Sequence, residues 1–464
     1  MSSRSRRHRL IEIDWPQFGV AACPPRPPAS ELQARIDNLR AKMEERGFTH
    51  AVVYGDREHF ANLAYLTGFD PRFEESLLIV GKSGTPLILV GNECEAYLGI
   101  SSLHSTGLMR HELFQTFSLL GQPRERSRAL REILAEEGIG PAATVGAIGY
   151  KYFAEPGHLD IPSYIADTLR NLAGPDKVLN AADLLMHPGY GLRAKCSPFE
   201  IAAFEYTNCQ AAEAATRMIF ALREGMTDHA AVEAARLNGE PLSCHLTFVT
   251  GGNVPYGLCG PSGEIVRRGQ PLAFNIAYWG SNICRAGWIA ESAADLPPAA
   301  SDYVSSFAGP YFEALGEWFG MMKLGTPGHA VHSLIQARLP FEKFGIYLNP
   351  GHLIHLDEWM SSPFYAGSEI PVASGMAIQV DVIPSSPQYF STRMEDGIVI
   401  ADAELRRQLK ECAPDCYDRC QKRRSFMTDV LGIELPEEVL PLSNTCAIVP
   451  PFFLKPNTVL ALDK

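Results

Sequence analysis

The spacing of apolar residues predicts helices and strands that alternate through the first part of the chain. From residue 31, apolar residues recur at helical spacing, at Leu32, Ile36, Leu39 and Met43, and Gly47 follows where that helix should end. Short apolar runs predict strands at 51–54, 76–80 and 86–90, and two further stretches, 125–137 and 162–172, predict helices. This alternation is typical of an α/β layer, and we expect one domain over residues 31–185.

A second region begins near residue 195 with a long apolar segment. Pro198 and Glu200 suit the first turn of a helix, and 198–222 predicts one long buried helix. A second helix is expected at 228–237, with Thr227 as its N-cap. Further strands are expected at 246–249, 272–276, 282–289, 376–383 and 394–400, and further helices at 299–322 and 329–339. We therefore expect a mixed α and β domain over residues 195–402 and a tail at 403–464.

The first 30 residues have a different composition from the rest. They carry a basic run, Arg4, Arg6, Arg7 and Arg9, and then a proline-rich run, Pro24, Pro25, Pro27 and Pro28. Proline neither continues a helix nor pairs within a central strand. The pattern predicts a basic, proline-rich arm at residues 1–30.

Composition restricts the class of protein. The chain has 464 residues, of which 46% are hydrophobic and 20% charged, enough for two or three folded domains. A net charge of -12 disfavours binding to a nucleic-acid backbone. No apolar stretch approaches the roughly 20 residues that span a bilayer, and no apolar core follows the arginines. The irregular spacing of the eleven cysteines is typical of reduced thiols rather than of a disulfide framework. Together these features predict a soluble, cytoplasmic protein without nucleic-acid or membrane partners.

Polar residues interrupt apolar strands and turns in the second region. Asp381 lies in a strand that reads Met-Ala-Ile-Gln-Val before it. Burying such a carboxylate costs several kcal/mol unless it is paired, protonated or bound to a metal. The other interrupted segments are 250–256, 274–277, 281–285, 351–359 and 393–397. These segments are the candidate chemistry of the chain.

In their order along the chain, these segments resemble the family of creatinase, aminopeptidase P, prolidase and methionine aminopeptidase, which share the pita-bread fold. The run Tyr65-Leu-Thr-Gly-Phe-Asp70 also resembles that family, so the resemblance covers residues 31–402. It implies an α/β (α+β) protein with a creatinase-like N-terminal domain and a C-terminal pita-bread domain. It also implies a homodimer, with Arg72 placed near the partner's pocket to bind substrate.

The resemblance also indicates which residues correspond to metal ligands. Metal-dependent members use two Asp, one His and two acidic residues, and the matching positions here are Asn275, Asn282, His352, Asp381 and Glu395. The Asn275 to Asn282 interval is shorter than usual. An amide oxygen is a poorer ligand for a hard cation than a carboxylate. The resemblance therefore implies at most one divalent transition metal (iron, manganese or zinc) on His352, Asp381 and Glu395, or a metal-free site.

Two branches of the family suggest catalytic residues. Creatinase also has Asn at the first Asp position, but its substrate-side His corresponds to Tyr256 here. The dimethylsulfoniopropionate lyases resemble the chain at Asn253-Val-Pro255-Tyr256 and at Asp357-Glu358-Trp359, and Asp357 matches their catalytic-base candidate. The catalytic candidates are His352, Asp357, Glu358 and Tyr256. The candidates for binding a small-molecule substrate are Asn275, Asn282, Arg285, His355, Arg393 and Arg72.

The sequence is compatible with three functions, and some of the candidate residues are also compatible with purely structural roles. The leading hypothesis is a hydrolase acting on a C–N bond of a small polar metabolite or dipeptide-like substrate, and the alternatives are a lyase and a non-catalytic small-molecule or peptide binding protein. His352 and His355 are also compatible with ordinary turn residues, and Asp381 and Glu395 with an ion network. Three cysteines recur at every fourth residue: Cys412, Cys416 and Cys420. This spacing predicts that they lie on one face of a helix, as a buried stripe or as part of a metal site.

Overall fold

The computed structural model describes residues 7–463. The chain forms two compact units, a smaller one of Pro25–Ala194 and a larger one built from Met1–Pro24 and Lys195–Lys464. Arg4 and Arg6 of the basic run lie outside the described residues. Among the described residues, no helix combines the length and apolar character that a bilayer span requires.

The N-terminal segment is part of the larger unit. Strand β1 (His8–Glu12) pairs antiparallel with the last strand (Thr458–Leu462), with Leu10 opposite Leu460. The basic part of the predicted arm therefore contains a paired strand. The pairing partner lies at the far end of the sequence, so nothing local in the composition reveals it.

The smaller unit contains one mixed six-stranded sheet with helices packed on it. In order across the sheet its strands are β5-β4-β3-β2-β6-β7. Its strands are β2 (His50–Gly55), β3 (Ser76–Gly81), β4 (Leu87–Val90), β5 (Arg110–Leu113), β6 (Val145–Ile148) and β7 (Val178–Asn180). Its helices are α1 (Ala29–Arg46), α2 (Ala61–Thr67), α3 (Cys94–Tyr97), α4 (Ser102–Ser105), α5 (Leu130–Glu136), α6 (Ser163–Ala173) and α7 (Asp183–Met186).

Most of the helices and strands predicted for this unit are confirmed. Helix α1 buries the predicted stripe, and Gly47 ends it with a φ of 75°, a conformation that favours glycine. The three predicted strands are β2, β3 and β4. The helix expected at 125–137 is shorter and begins at Leu130.

The larger unit contains two four-stranded antiparallel sheets and several helices. The first sheet has the order β13-β10-β9-β8 and the second β11-β12-β14-β15. Its strands are β8 (Thr247–Val249), β9 (Pro271–Ile276), β10 (Ile283–Trp288), β11 (His352–Leu353), β12 (Ala377–Gln379), β13 (Arg393–Glu395), β14 (Gly397–Ile400), β15 (Val439–Pro441) and β16 (Thr458–Leu462). Its helices are α8 (Pro198–Ala221), α9 (Asp228–Glu233), α10 (Gly309–Gly320), α11 (Gly328–Arg338), α12 (Phe341–Phe344), α13 (Ala403–Cys412) and α14 (Pro414–Asp429).

Helix α8 contributes to both cores of the larger unit. Its first turns pack with the second sheet, through Ile201 and Phe204, while Ala215 and Met218 pack with the first sheet. The side chain of Ser197 accepts a hydrogen bond from the Glu200 N–H, and the Glu200 carboxylate accepts one from the Ser197 N–H. This capping box fixes the predicted start of the helix. The α/β fold class is confirmed.

Two expectations for this unit are wrong in detail. The strand expected at 394–400 is two strands in different sheets, β13 and β14, separated by Asp396 alone. The three regularly spaced cysteines do not share one helix, because the chain breaks at Ala413 between α13 and α14. Cys412 is therefore exposed, whereas Cys416 and Cys420 are buried.

Candidate active site

Three neighbouring strands of the first sheet place predicted residues side by side. Cys284 on β10 lies opposite Asn275 on β9 and opposite Glu395 on β13. The shortened hairpin leaves Asn282 just before β10, where its side chain is buried. The register therefore separates the two asparagines, with Asn275 inside a strand and Asn282 at the turn.

His352 lies at the start of β11 and is fully buried. Its Nε2 atom lies 3.4 Å from Glu358 Oε1 and 3.8 Å from Asp381 Oδ2. The Trp359 ring stacks on the imidazole at 4.2 Å between centroids. Burial lowers the pKa of His352, but the carboxylates of Glu358 and Asp381 raise it more, so the pKa lies above its usual value. The geometry favours a protonated imidazole between two carboxylates.

Asn282 links the carboxylates of this group. Its Nδ2 donates to Glu395 Oε2 at 2.7 Å and to Glu358 Oε1 at 3.1 Å. We call the five residues His352, Asn282, Glu358, Asp381 and Glu395 the acidic cluster. Three carboxylates and one imidazole therefore meet in one largely buried place.

The carboxylates of the acidic cluster differ in acidity. Burial raises the pKa of Asp381 to about 6, with His352 opposing the shift and Glu358 adding to it. Burial, and then Asp381 and Glu358, raise the pKa of Glu395 well above its usual value. For Glu358 burial is outweighed by His352 and Asn282, so its pKa is lowered. Near neutral pH the cluster thus offers both proton donors and acceptors.

Several buried polar atoms of the acidic cluster make no hydrogen bond within residues 7–463. They are His352 Nε2, Asp381 Oδ1 and Asn282 Oδ1. Leaving buried polar atoms unsatisfied costs about 1–3 kcal/mol each. A polar ligand bound here would recover that cost, which is typical of a binding site.

The donor types of the acidic cluster suit one metal ion rather than two, although their atoms are not gathered around a common point. Asn275 Oδ1 already accepts from the Thr247 N–H at 2.8 Å and from its hydroxyl, so this amide is not available as a ligand. His352, Asp381 and Glu395 supply one nitrogen and two carboxylates, which suit a single divalent transition ion. In the described residues, however, the donor atoms of these three side chains do not all lie within 4.8 Å of one another. Those of a second buried trio do, and its members are Cys196, Glu200 and His355.

Arg285, a predicted substrate-binding residue, lies in a buried ion pair. Its guanidinium pairs with Asp396 at 2.8 Å and donates to backbone carbonyls, and the side chain is fully buried. The hydrogen-bonding capacity of this arginine is therefore used within the protein. By contrast, the one side-chain hydrogen bond of Arg393 within the described chain is to the Cys284 thiol at 3.6 Å, and its buried Nε makes none.

The remaining candidates lie in different surroundings. His355 faces α8, where its Nε2 lies 3.0 Å from Glu200 Oε1, so it does not join the acidic cluster. Tyr256 is 68% exposed at the end of a turn. Asp357 precedes Glu358 and is partly buried, and its backbone carbonyl accepts from the His355 N–H. Arg72, in the smaller unit, contacts Asp70 and the Tyr97 hydroxyl at 3.0 and 2.9 Å.

Two neighbours of the site were not predicted from the sequence. Thr247 binds Asn275, and Gln379 donates to the backbone carbonyl of Asn282. Both positions lie in the strands that flank the cluster. Their polar side chains within buried strands are the signal that could have identified them.

Comparisons with known proteins agree with this architecture. Residues 35–146 match the family described as the Creatinase/Prolidase N-terminal domain. No curated protein matches the sequence significantly.

Solved structures share the fold over most of the chain. Dipeptidase PepE from Mycobacterium ulcerans is 18% identical, with 81% of this chain and 95% of that chain covered at a TM-score of 0.60. The prolidase from Pyrococcus horikoshii OT3 is 15% identical, with 79% and 95% covered at a TM-score of 0.61. The Xaa-Pro dipeptidase from Bacillus anthracis is 16% identical, with 80% and 96% covered at a TM-score of 0.59. At this identity the similarity is one of fold.

Proposed function

We propose that this chain is a hydrolase of the creatinase/Xaa-Pro peptidase type, because residues 35–146 match the Creatinase/Prolidase N-terminal domain and its fold is similar to that of solved dipeptidases and prolidases. It cleaves a C–N bond of a small polar or dipeptide-like substrate. The acidic cluster is its active site, and at most one transition metal binds there.

One observation carries the proposal: buried His352 lies between Glu358 and Asp381, and its Nε2 is left without an aligned hydrogen bond. A merely structural network would satisfy its buried atoms. Here the unsatisfied atoms of three residues, His352, Asp381 and Asn282, belong to one cluster.

The protonation states suit hydrolysis of a C–N bond. Asp381, with a pKa of about 6, is ionised at neutral pH and takes the proton of the attacking water. Glu395 keeps its proton, because its pKa is raised well above the usual value, and supplies a proton to the leaving nitrogen. Glu358 holds the His352 imidazolium in place.

Arg393 is proposed to bind the anionic group of the substrate. Its Nε is buried without a hydrogen-bond partner in the described residues, and the side chain lies beside β10. A guanidinium suits a carboxylate through its fork of donors. The protonation states given above are those of the metal-free cluster; to hold a metal, His352, Asp381 and Glu395 would have to release the protons they hold, and the ion would then act as a Lewis acid that lowers the pKa of water.

The test is a substrate screen with product analysis. The purified chain is incubated with Xaa-Pro dipeptides, other dipeptides and small amides, in EDTA or with Mn²⁺, Zn²⁺ or Fe²⁺. Hydrolysis adds one water molecule to the products. We expect hydrolytic activity to be lost in His352→Gln and kept in Glu369→Gln, a control at an exposed position. An alkene product would show a lyase, and thermal stabilisation by a ligand without turnover would show a binding protein. Either result overturns the proposal.

The proposal includes a homodimer in which Arg72 serves the partner's site. Sedimentation at micromolar concentration tests whether the protein is a dimer, and KM measurements test the role of Arg72. Both are made on the unmodified protein, on Arg72→Ala and on the matched surface variant Arg57→Ala. We expect a dimer in all three proteins and a raised KM for Arg72→Ala alone. A monomer, or equal KM values, would remove this part of the proposal.

A further inference from the structure

A second group of metal-ligating side chains lies apart from the acidic cluster. Cys196, Glu200 and His355 are 5%, 6% and 1% exposed. Each offers one ligand atom, and the three atoms all lie within 4.8 Å of one another. His355 Nε2 and Glu200 Oε1 are 3.0 Å apart. Donor atoms on tetrahedral zinc lie about 3.3–3.6 Å apart, given bonds of about 2.0–2.3 Å. We propose that these residues bind one zinc ion, and we call the trio the thiolate site.

The chemistry of the donors selects the metal. A thiolate, an imidazole and a carboxylate form a set that suits zinc rather than magnesium or calcium, which prefer oxygen ligands. The thiolate and the carboxylate together carry two negative charges, which one Zn²⁺ balances. The bound group is then neutral, as its apolar surroundings of Ile201, Phe204 and Ile354 require.

The ligands are held on ordered elements. Glu200 Oε2 accepts from the Ser197 N–H at 3.0 Å, which turns the other carboxylate oxygen towards His355. The Cys196 N–H donates to the Gly375 carbonyl at 2.8 Å. The Phe204 ring meets the His355 ring edge to face at 5.0 Å. Such outer contacts orient metal ligands in known sites.

The thiolate site has a structural role. It joins the start of α8, through Cys196 and Glu200, to the segment that follows β11 and carries His355. The same segment continues to Glu358 of the acidic cluster. Zinc would therefore fix this segment against the helix. The trio supplies three of the four ligands of a tetrahedral site, and a bound water molecule would be the fourth.

Cobalt titration of the full chain tests the proposal. Protein stripped with a chelator is titrated with Co²⁺, and the near-ultraviolet thiolate-to-cobalt charge-transfer band is recorded. We expect the band in the unmodified protein, its loss in Cys196→Ser and its persistence in Cys416→Ser, a buried cysteine of the same apolar cluster. Cys284→Ser controls for the thiol beside the acidic cluster and should also keep the band.

Elemental analysis of zinc provides the second measurement. One zinc per chain that is lost in Cys196→Ser and in His355→Gln, but kept in His352→Gln, supports the thiolate site. If Cys196→Ser does not fold, the loss of zinc in His355→Gln together with a band that persists in Cys284→Ser still decides. No thiolate band, or a band lost only in Cys284→Ser, would overturn the proposal and leave Glu200 and His355 as an ordinary buried pair.

Discussion

The Nδ2 atom of Asn282 donates a hydrogen bond of 2.7 Å to Oε2 of Glu395. The resemblance to metal-dependent members implies an aspartate ligand at this position, and here a neutral amide occupies it. An aspartate at 282 would lose this bond and place a second negative charge beside the ionised Glu358 carboxylate, a repulsion that is relieved only by a cation or a proton.

We predict that Asn282→Asp lowers the stability of metal-free protein and increases its affinity for metal. Loss of the buried hydrogen bond and the added charge should cost about 1–3 kcal/mol in EDTA. Mn²⁺ should restore the melting temperature of the variant far more than that of the unmodified chain. Thermal melts with and without the ion measure this, and Asn275→Asp is the matched control. Equal responses in both variants would contradict it.

The raised pKa of Asp381 makes stability depend on pH. The folded group titrates near pH 6 and the unfolded group near 3.8, so the folded state holds the proton more tightly. Stability is therefore lost as the pH rises from about 4 to 6, by about 3 kcal/mol at 1.36 kcal/mol per pKa unit. We predict that Asp381→Asn is more stable than the unmodified protein at pH 8 in EDTA and similar at pH 4. Urea unfolding at both values measures this, and an equal gain at both would contradict it.

Glu358, rather than Asp357, is expected to be the more important of the two adjacent carboxylates. Glu358 contacts both His352 and Asn282, whereas the Asp357 backbone carbonyl is bonded to the His355 N–H. We predict that Glu358→Gln reduces kcat about 10²-fold or more, the range for a group that supports proton transfer, and that Asp357→Asn changes it less. Rates and pH profiles on a substrate found in the screen measure this. The reverse order would assign the catalytic role to Asp357.

Arg285 and Asp396 form a fully buried ion pair that links β10 to the segment between the sheets. We predict that Arg285→Met destabilises the chain by about 3–5 kcal/mol, because it leaves the Asp396 carboxylate unpaired. Arg393→Met should instead retain stability and raise KM. Denaturant unfolding and kinetics of both variants measure the contrast. Similar stability losses would show that Arg393 is structural too.

Local signals explain what could be predicted from the sequence. Pro198 and Glu200 predict the start of α8 from neighbouring positions, and the apolar stripe of α1 needs no distant partner. The surroundings of Arg285 depend on Asp396 and on carbonyls more than a hundred residues away, so its buried ion pair could not be predicted from local sequence. The order of the motifs along the chain was enough to predict the candidate residues of the acidic cluster. Their hydrogen bonds could not be predicted, because they depend on the register of the strands.

The split between β13 and β14 has a consequence for folding. Glu395 reaches the cluster only when β13 pairs with β10, although Arg285 and Glu395 are separated by 110 residues. Such distant contacts close large loops and form late, after local helices and hairpins. Activity is therefore a stricter measure of complete folding than helix content, and a refolding chain should regain its circular dichroism before its turnover.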